Sequence, residues 1–212
     1  MKENDVLKTG TTTVGLVCKD CVVLAADKRA TAGNFIASKK VEKVVPINER
    51  MALTTSGVVS DIQLLIKLLK AELKLKSIRV DREPTVKEAA NLMANIVYSN
   101  IRKMSMIPGI THFLLGGADE DSAQLYDLFA DGSITDIDDF VASGSGTEIA
   151  YGVLEANYKK DLTEAEGVEL ALKAVNAAMQ RDSASGEGID VYVISKAGMR
   201  KAAQKKVNTH AQ

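Results

Sequence analysis

At 212 residues, 46% of them hydrophobic and only three of them proline, the chain is long enough for one substantial core, and its composition does not point to disorder. The 27 basic and 28 acidic residues leave a net charge of -1, which gives no electrostatic footprint for nucleic acid or an anionic membrane surface. No apolar run approaches the ~18 residues that span a bilayer, and the opening MKENDVLKTG lacks the ~7–15 residue apolar core of a secretory signal, so a soluble, cytoplasmic protein is expected.

Behind that polar leader, residues 12–18 and 21–27 predict a hairpin closed by Lys19-Asp20. Cys18 and Cys21 carry the spacing of a redox C-x-x-C, but such pairs open a helix, whereas this one lies between two strands. Two small half-buried thiols are the expected state, with a hairpin disulfide as the alternative. Residues 33–47 and 50–57 continue as strand-length apolar pieces. Ser60-x-x-Gln63 has the form of a capping box, and Ile62, Leu65, Ile66, Leu69 and Leu73 then fall on one helical face. A second helix starts at Thr85-x-x-Glu88, with Ala89, Leu92, Met93, Ile96 and Val97 at the same spacing.

Strands return over 111–119, 123–130 and 133–146, with Asp131-Gly132 as the hairpin signal between the last two. A second helical pair follows at 147–158 and from the Thr163-x-x-Glu166 box, then a last strand at 189–195 and a basic tail expected to be frayed from about 200. Strand groups alternating with helix pairs predict an α+β fold, a four-layer α-β-β-α sandwich with two antiparallel sheets in a single domain.

The chain has no P-loop, no H-E-x-x-H zinc motif, no dinucleotide fingerprint and no G-x-S-x-G elbow. A zinc site needs more ligands than are offered, because His112 and His210 are the only histidines. His112 falls in a strand-like run and His210 in the tail, so neither is expected to serve as a catalytic base. No metal or cofactor is expected, and a hydrolase built from this chain would need a nucleophile whose base is not histidine.

Gly10-Thr11-Thr12-Thr13 offers one. A threonine hydroxyl is a poor nucleophile until a base takes its proton, and a terminal amine of pKa about 7.7–8.0 suits that task at neutral pH. Cleavage between Gly10 and Thr11 would place both groups on one residue, and glycine before the cut leaves its carbonyl open to the hydroxyl. Taken by itself, a threonine run is also simply a good strand former. Lys43 shares an expected strand face with Val41 and Val45, so its ammonium needs a carboxylate, for which Asp27 is the candidate.

The ordered set TGTTTVG, AADKRAT, TTSG, ASGSG with YGVLE, and RDSASG before IDVYVI resembles the beta subunits of archaeal-type proteasomes, which are N-terminal-nucleophile hydrolases, from about Thr9 to Ser195. The resemblance implies that residues 1–10 are a propeptide removed by autolysis, that residues 11–212 form the catalytic domain, and that Thr11 is the nucleophile of a threonine endopeptidase. Asp27 and Lys43 would be the charged pair that tunes it, and Arg29 would support them. Ser145, Asp182 and Ser185 would complete the hydrogen-bonded set, Gly57 N–H would be the oxyanion donor, and Thr31 would hold the substrate backbone. Ala30, Val41, Val45 and Thr55 would line a mainly apolar pocket for the residue before the scissile bond. No catalytic position departs from the family's pattern.

The implied partners are alpha subunits and other beta subunits in four stacked seven-membered rings, a regulatory ATPase, and unfolded protein substrates. The rival readings are a bacterial ATP-dependent threonine peptidase, for which a start directly after Met1 and a shorter chain would be expected, a small-molecule amidase of the same nucleophile class, and a structural ring subunit whose leader is never removed.

Overall fold

The computed structural model describes residues 8–205; residues 1–7 of the expected leader and the end of the tail, with His210, lie outside them. The short strand β1 (Lys8–Thr9) precedes β2 (Thr12–Val17) and β3 (Cys21–Asp27), which form the expected hairpin with Val17 opposite Val22. Residues 33–47 break into pieces, so that β4 (Ala30–Ala32), β5 (Phe35–Ser38) and β6 (Val44–Asn48) precede β7 (Met51–Val58).

Strand β7 runs straight into α1 (Val59–Val80), whose N-cap is Val58 without a side-chain cap bond. The expected box at Ser60 is therefore absent; Ser60 lies inside the first turn and its hydroxyl donates to Asp61. The other two boxes form as read, Thr85 and Glu88 starting α2 (Val86–Ile101), Thr163 and Glu166 starting α4 (Glu164–Met179). Between these helices lie β8 (Thr111–Ala118), β9 (Ala123–Leu128), β10 (Ile134–Ile137), β11 (Phe140–Gly144) and α3 (Thr147–Asn157). The stretch 133–146 thus holds two strands, and they join different sheets.

The chain closes with β12 (Ile189–Ser195) and β13 (Gly198–Lys205). The tail expected to be frayed from about 200 is, as far as Lys205, an edge strand paired along β12. Met199, Ala202 and Ala203 pack against the core from it, while Lys201 bonds the buried Asp190 at 2.8 Å.

An eight-stranded antiparallel sheet runs β10-β9-β8-β7-β1-β4-β5 with β6 also on β7, and a five-stranded antiparallel sheet runs β11-β2-β3-β12-β13. Three apolar clusters make this a four-layer sandwich. One lies between the first sheet and α1 and α2, a second between the five-stranded sheet and α3 and α4, and a third, including Val22, Leu24, Val44, Leu114, Leu125 and Val141, between the sheets. The α1 residues read as one face are the ones buried, whereas on α2 Leu92 and Ile96 are only partly covered. No helix among the described residues is long and apolar enough to cross a membrane.

Cys18 and Cys21 are free and fully buried at the β2–β3 turn rather than half-buried. A hydrogen bond with the Cys21 thiol, together with burial, holds Cys18 well above the ordinary thiol range, so it is packed as an inert side chain.

Candidate active site

Thr11 lies at the end of the five-stranded sheet, just before β2, and is fully buried. Its backbone N–H donates to Ser145 Oγ at 3.1 Å, and its carbonyl accepts from Gly146 N–H at 3.3 Å. Ser145 Oγ also lies 3.3 Å from that carbonyl, but it has one proton, and the nearer acceptor is Asp182 Oδ2 at 2.6 Å. Ser185 Oγ donates to the same carboxylate oxygen at 2.5 Å and stands 2.8 Å from Thr12 Oγ1, so Thr12 is the donor in that last bond. Ala184 N–H reaches Asp182 Oδ1 at 3.1 Å. Thr11, Ser145, Asp182 and Ser185 are therefore brought together from three separate parts of the chain.

Asp27, the last residue of β3, lies under the same turn. Lys43 Nζ meets its Oδ1 at 2.7 Å with both side chains fully buried, and Nζ also donates to the Gly10 carbonyl at 2.7 Å. Lys43 does not sit in a strand as expected, since β6 begins one residue later; its side chain crosses from the first sheet to the second. Thr12 N–H (3.0 Å) also donates to Asp27 Oδ1, while Arg29 N–H (3.0 Å) and Gly186 N–H (2.8 Å) reach Oδ2. Burial holds the Lys43 ammonium below the ordinary lysine range against the pull of Asp27, and burial pushes the Asp27 carboxyl up against the pull of Lys43 and the backbone N–H groups. Those donors are what allow a buried pair of this kind, whose desolvation would otherwise exceed its attraction.

Arg29 does not touch the threonine. Its guanidinium donates to Ser183 O at 2.8 Å and pairs with Glu187 Oε1 at 3.1 Å, clamping the loop that carries Asp182, Ser185 and Gly186.

Strand β1 lies between β4 and β7 in the first sheet. Lys8 pairs with Thr31 on one side, and Lys8 and Thr9 pair with Val58 and Gly57 on the other. Gly57 has φ +118°, and a Cβ there would lie 2.2 Å from Ile110 O, so only glycine holds this position. Around Lys43, Thr55 N–H donates to the Lys43 carbonyl at 2.9 Å and Val41 N–H to the Lys28 carbonyl at 3.1 Å; Ala30 and Thr55 are buried, Val41 and Val45 half-buried. A cleft of about 960 Å³ lies elsewhere, lined by Asn48, Arg50, Arg82, Thr85, Asp119 and Gln124 among others, and holds none of the expected site residues. Among the described residues, no group of three or more His, Cys, Asp or Glu is placed to hold a metal.

Residues 7–194 match the family model described as "Proteasome subunit". The chain belongs to the proteasome beta-subunit family. It is 49% identical over 165 residues to a proteasome subunit beta of Ferroglobus placidus, covering 78% of this chain and 77% of the relative. It is 47% identical to that of Archaeoglobus profundus over 96% of this chain and 93% of the relative, and 44% identical to that of Methanosarcina barkeri over 98% and 96%. Membership implies assembly into a proteasome core with other subunits.

Two contributors were not legible beforehand. Gly186 acts through its backbone N–H, which no side-chain pattern announces, and Glu187 holds Arg29 from a left-handed backbone (φ 70°) that is unusual for a non-glycine residue. The positive φ has no sequence signal except its place between two glycines.

Proposed function

We propose that this chain is the precursor of a threonine endopeptidase that removes its own residues 1–10 and then cleaves unfolded proteins inside a ring chamber. The observation that carries the reading is the Lys43 ammonium, held by Asp27 and donating at 2.7 Å to the carbonyl oxygen of Gly10, at the bond joining leader to Thr11. An ammonium there draws electrons from the carbonyl that the neighbouring hydroxyl would attack. The Thr11 hydroxyl oxygen bonds to the Gly10 carbonyl carbon, the Gly10–Thr11 C–N bond breaks, and the hydroxyl proton ends on the Thr11 nitrogen. Water then hydrolyses the ester, leaving a carboxylate on Gly10 and restoring the Thr11 hydroxyl beside the amine freed in the first step.

In turnover, that amine takes the Thr11 hydroxyl proton, and the Lys43 charge beside it favours its unprotonated, basic form. Ser145 and Asp182 orient the amine and a water, and Ser185 holds Asp182. A substrate strand takes the place of β1, pairing with Thr31 and Gly57 by strand addition, with Gly57 N–H facing the developing oxyanion. Ala30, Val41, Val45 and Thr55 surround the side chain before the cut, which favours apolar residues. The particle is the four-ring stack with alpha subunits, fed in the cytoplasm by a separate ATPase.

Intact mass and N-terminal sequencing after co-expression with an alpha subunit test the reading. A new terminus at Thr11 with peptide hydrolysis is expected, and Thr11→Ala loses both. A persistent Met1 in the assembled particle, or turnover by pure Thr11→Ala, overturns it.

A further inference from the structure

His112 of β8 stands between two buried polar groups. Its Nε2 lies 2.5 Å from Asp127 Oδ1 of β9, and its Nδ1 lies 2.8 Å from Ser143 Oγ of β11. Asp127 and Ser143 are buried, the imidazole is about one-fifth exposed, and its ring stacks on Phe129 with centroids 4.7 Å apart. A carboxylate can only accept, so Nε2 carries a proton; in the neutral ring Nδ1 then accepts the Ser143 hydroxyl proton. The chain of bonds has the order of an acid, a base and a hydroxyl, yet Ser143 is shut away within a strand where no substrate reaches it. Its significance lies in what it connects.

β8 and β9 belong to the first sheet and β11 to the second, so the His112–Ser143 bond crosses the interface between them. The apolar packing of that interface is non-directional and does not by itself fix how one sheet sits over the other. The Lys43–Asp27 pair is also a cross-sheet link. Strand β2, which follows Thr11, lies between β3, bearing Asp27, and β11, bearing Ser143. Strand β7, which carries Gly57, is paired with β6, preceded by Lys43, and with β8, bearing His112. The two polar links therefore flank, on both sides, the two strands whose separation sets the distance from Thr11 to the Gly57 N–H. His112 is also next to Thr111, the partner of Gly57 in the ladder, and Ser143 is two residues before Ser145.

We propose that His112 is a positioning residue for the threonine site, tying the strand of the first sheet that carries Gly57 to the end of the second sheet that carries Thr11 and Ser145 through Asp127 and Ser143. The inference rests on the threonine-peptidase reading. A misplacement of about 1 Å between reacting groups costs on the order of a hundredfold in rate, so even a partial loss of register is measurable.

The test compares kcat and KM for a short fluorogenic peptide in self-processed, assembled protein. His112→Leu lowers kcat about tenfold with KM changed less than about threefold, while His112→Gln, which keeps one donor and one acceptor, recovers most of it. Ser143→Ala, which removes only the cross-sheet bond, lowers kcat by at least about threefold. A purely structural role would lower the melting temperature and leave kcat per Thr11 terminus unchanged. That result for Ser143→Ala overturns the proposal, whatever His112→Leu does to folding. Thr11-dependent turnover by the wild type is the control: its absence fails the threonine-peptidase reading itself, whereas its presence with unaffected variants fails only the role given to His112.

Discussion

Replacing Gly10 by alanine isolates self-cleavage from turnover. Gly10 does not have a positive φ, so packing alone decides the effect. A Cβ on Gly10 would lie 2.2 Å from Ala184 Cβ and 3.0 Å from Thr31 Oγ1. Carbon atoms ordinarily sit about 3.5–4.0 Å apart, so something must move by more than about 1 Å. The Ala184 loop is poorly placed to yield, because Asp182 holds the Ala184 N–H at 3.1 Å and Arg29 holds the Ser183 carbonyl at 2.8 Å. The leader therefore moves, and a shift of that size carries the Gly10 carbonyl out of reach of Lys43 Nζ, now 2.7 Å away. A displacement of about 1 Å corresponds to roughly a hundredfold in rate, or about 2.7 kcal/mol of barrier. Following intact mass with time after assembly should show the Gly10→Ala chain processed about a hundred times more slowly than wild type. The fraction that does process is chemically identical to processed wild type, so hydrolysis per Thr11 terminus should be unchanged. Processing within about threefold of wild type would refute the argument that this carbonyl must stay against Lys43.

Lys43→Ala removes one member of a fully buried ion pair, a change that typically costs about 3–5 kcal/mol, and the three backbone N–H groups left on Asp27 place it at the lower end. Circular dichroism should report a retained fold while leader removal and peptide hydrolysis are both lost. At the start of α2, the Arg82 guanidinium, with Lys76 and the Thr85 N–H behind it, holds the Glu88 carboxyl well below the ordinary carboxylate range. A depressed pKa gives stability that is complete above the ordinary glutamate value of about 4.3 and is lost as pH falls toward the folded value. Glu88→Gln should therefore lower the melting temperature slightly at pH 7, with the difference from wild type shrinking progressively as pH falls below about 4.3. Burial, then the charge of Asp139, pushes the Tyr158 hydroxyl up to about 12, where it donates to the Val17 carbonyl at 3.0 Å. In an absorbance titration one of the five tyrosines should ionise near there, and Tyr158→Phe should remove that step.

How far the fold could be read in advance followed how local each signal was. The boxes at Thr85 and Thr163 span four residues and need nothing from elsewhere, so they formed as read. The start of α1 did not, because β7 enters it directly and tertiary packing, without a side-chain cap, ends the strand. Residues 133–146 looked like one strand because alternation marks burial but does not say against which sheet. The basic tail looked solvated because its composition does not show that it pairs along β12 or that Lys201 has the buried Asp190 as its partner.

At the site, chemical reasoning on the sequence pointed to Thr11 and to the Asp27–Lys43 pair, whereas Ser145, Asp182 and Ser185 came only from the resemblance to archaeal-type proteasome beta subunits. Only the tertiary structure brought Thr11 to Ser145, 134 positions away, put β1 between β4 and β7, and set Lys43 against the Gly10 carbonyl. His112, set aside as a lone strand histidine, gained its partners Asp127 and Ser143 only when two sheets closed over each other. The sequence by itself determined the helices and the longer strands, through periodicity and caps acting over a few residues, but not the division of residues 33–47 and 133–146 or the strand at 198–205. How one sheet sits over the other depends on contacts between residues far apart in the chain, such as His112 with Ser143 and Lys43 with Asp27, and those exist only in the folded chain.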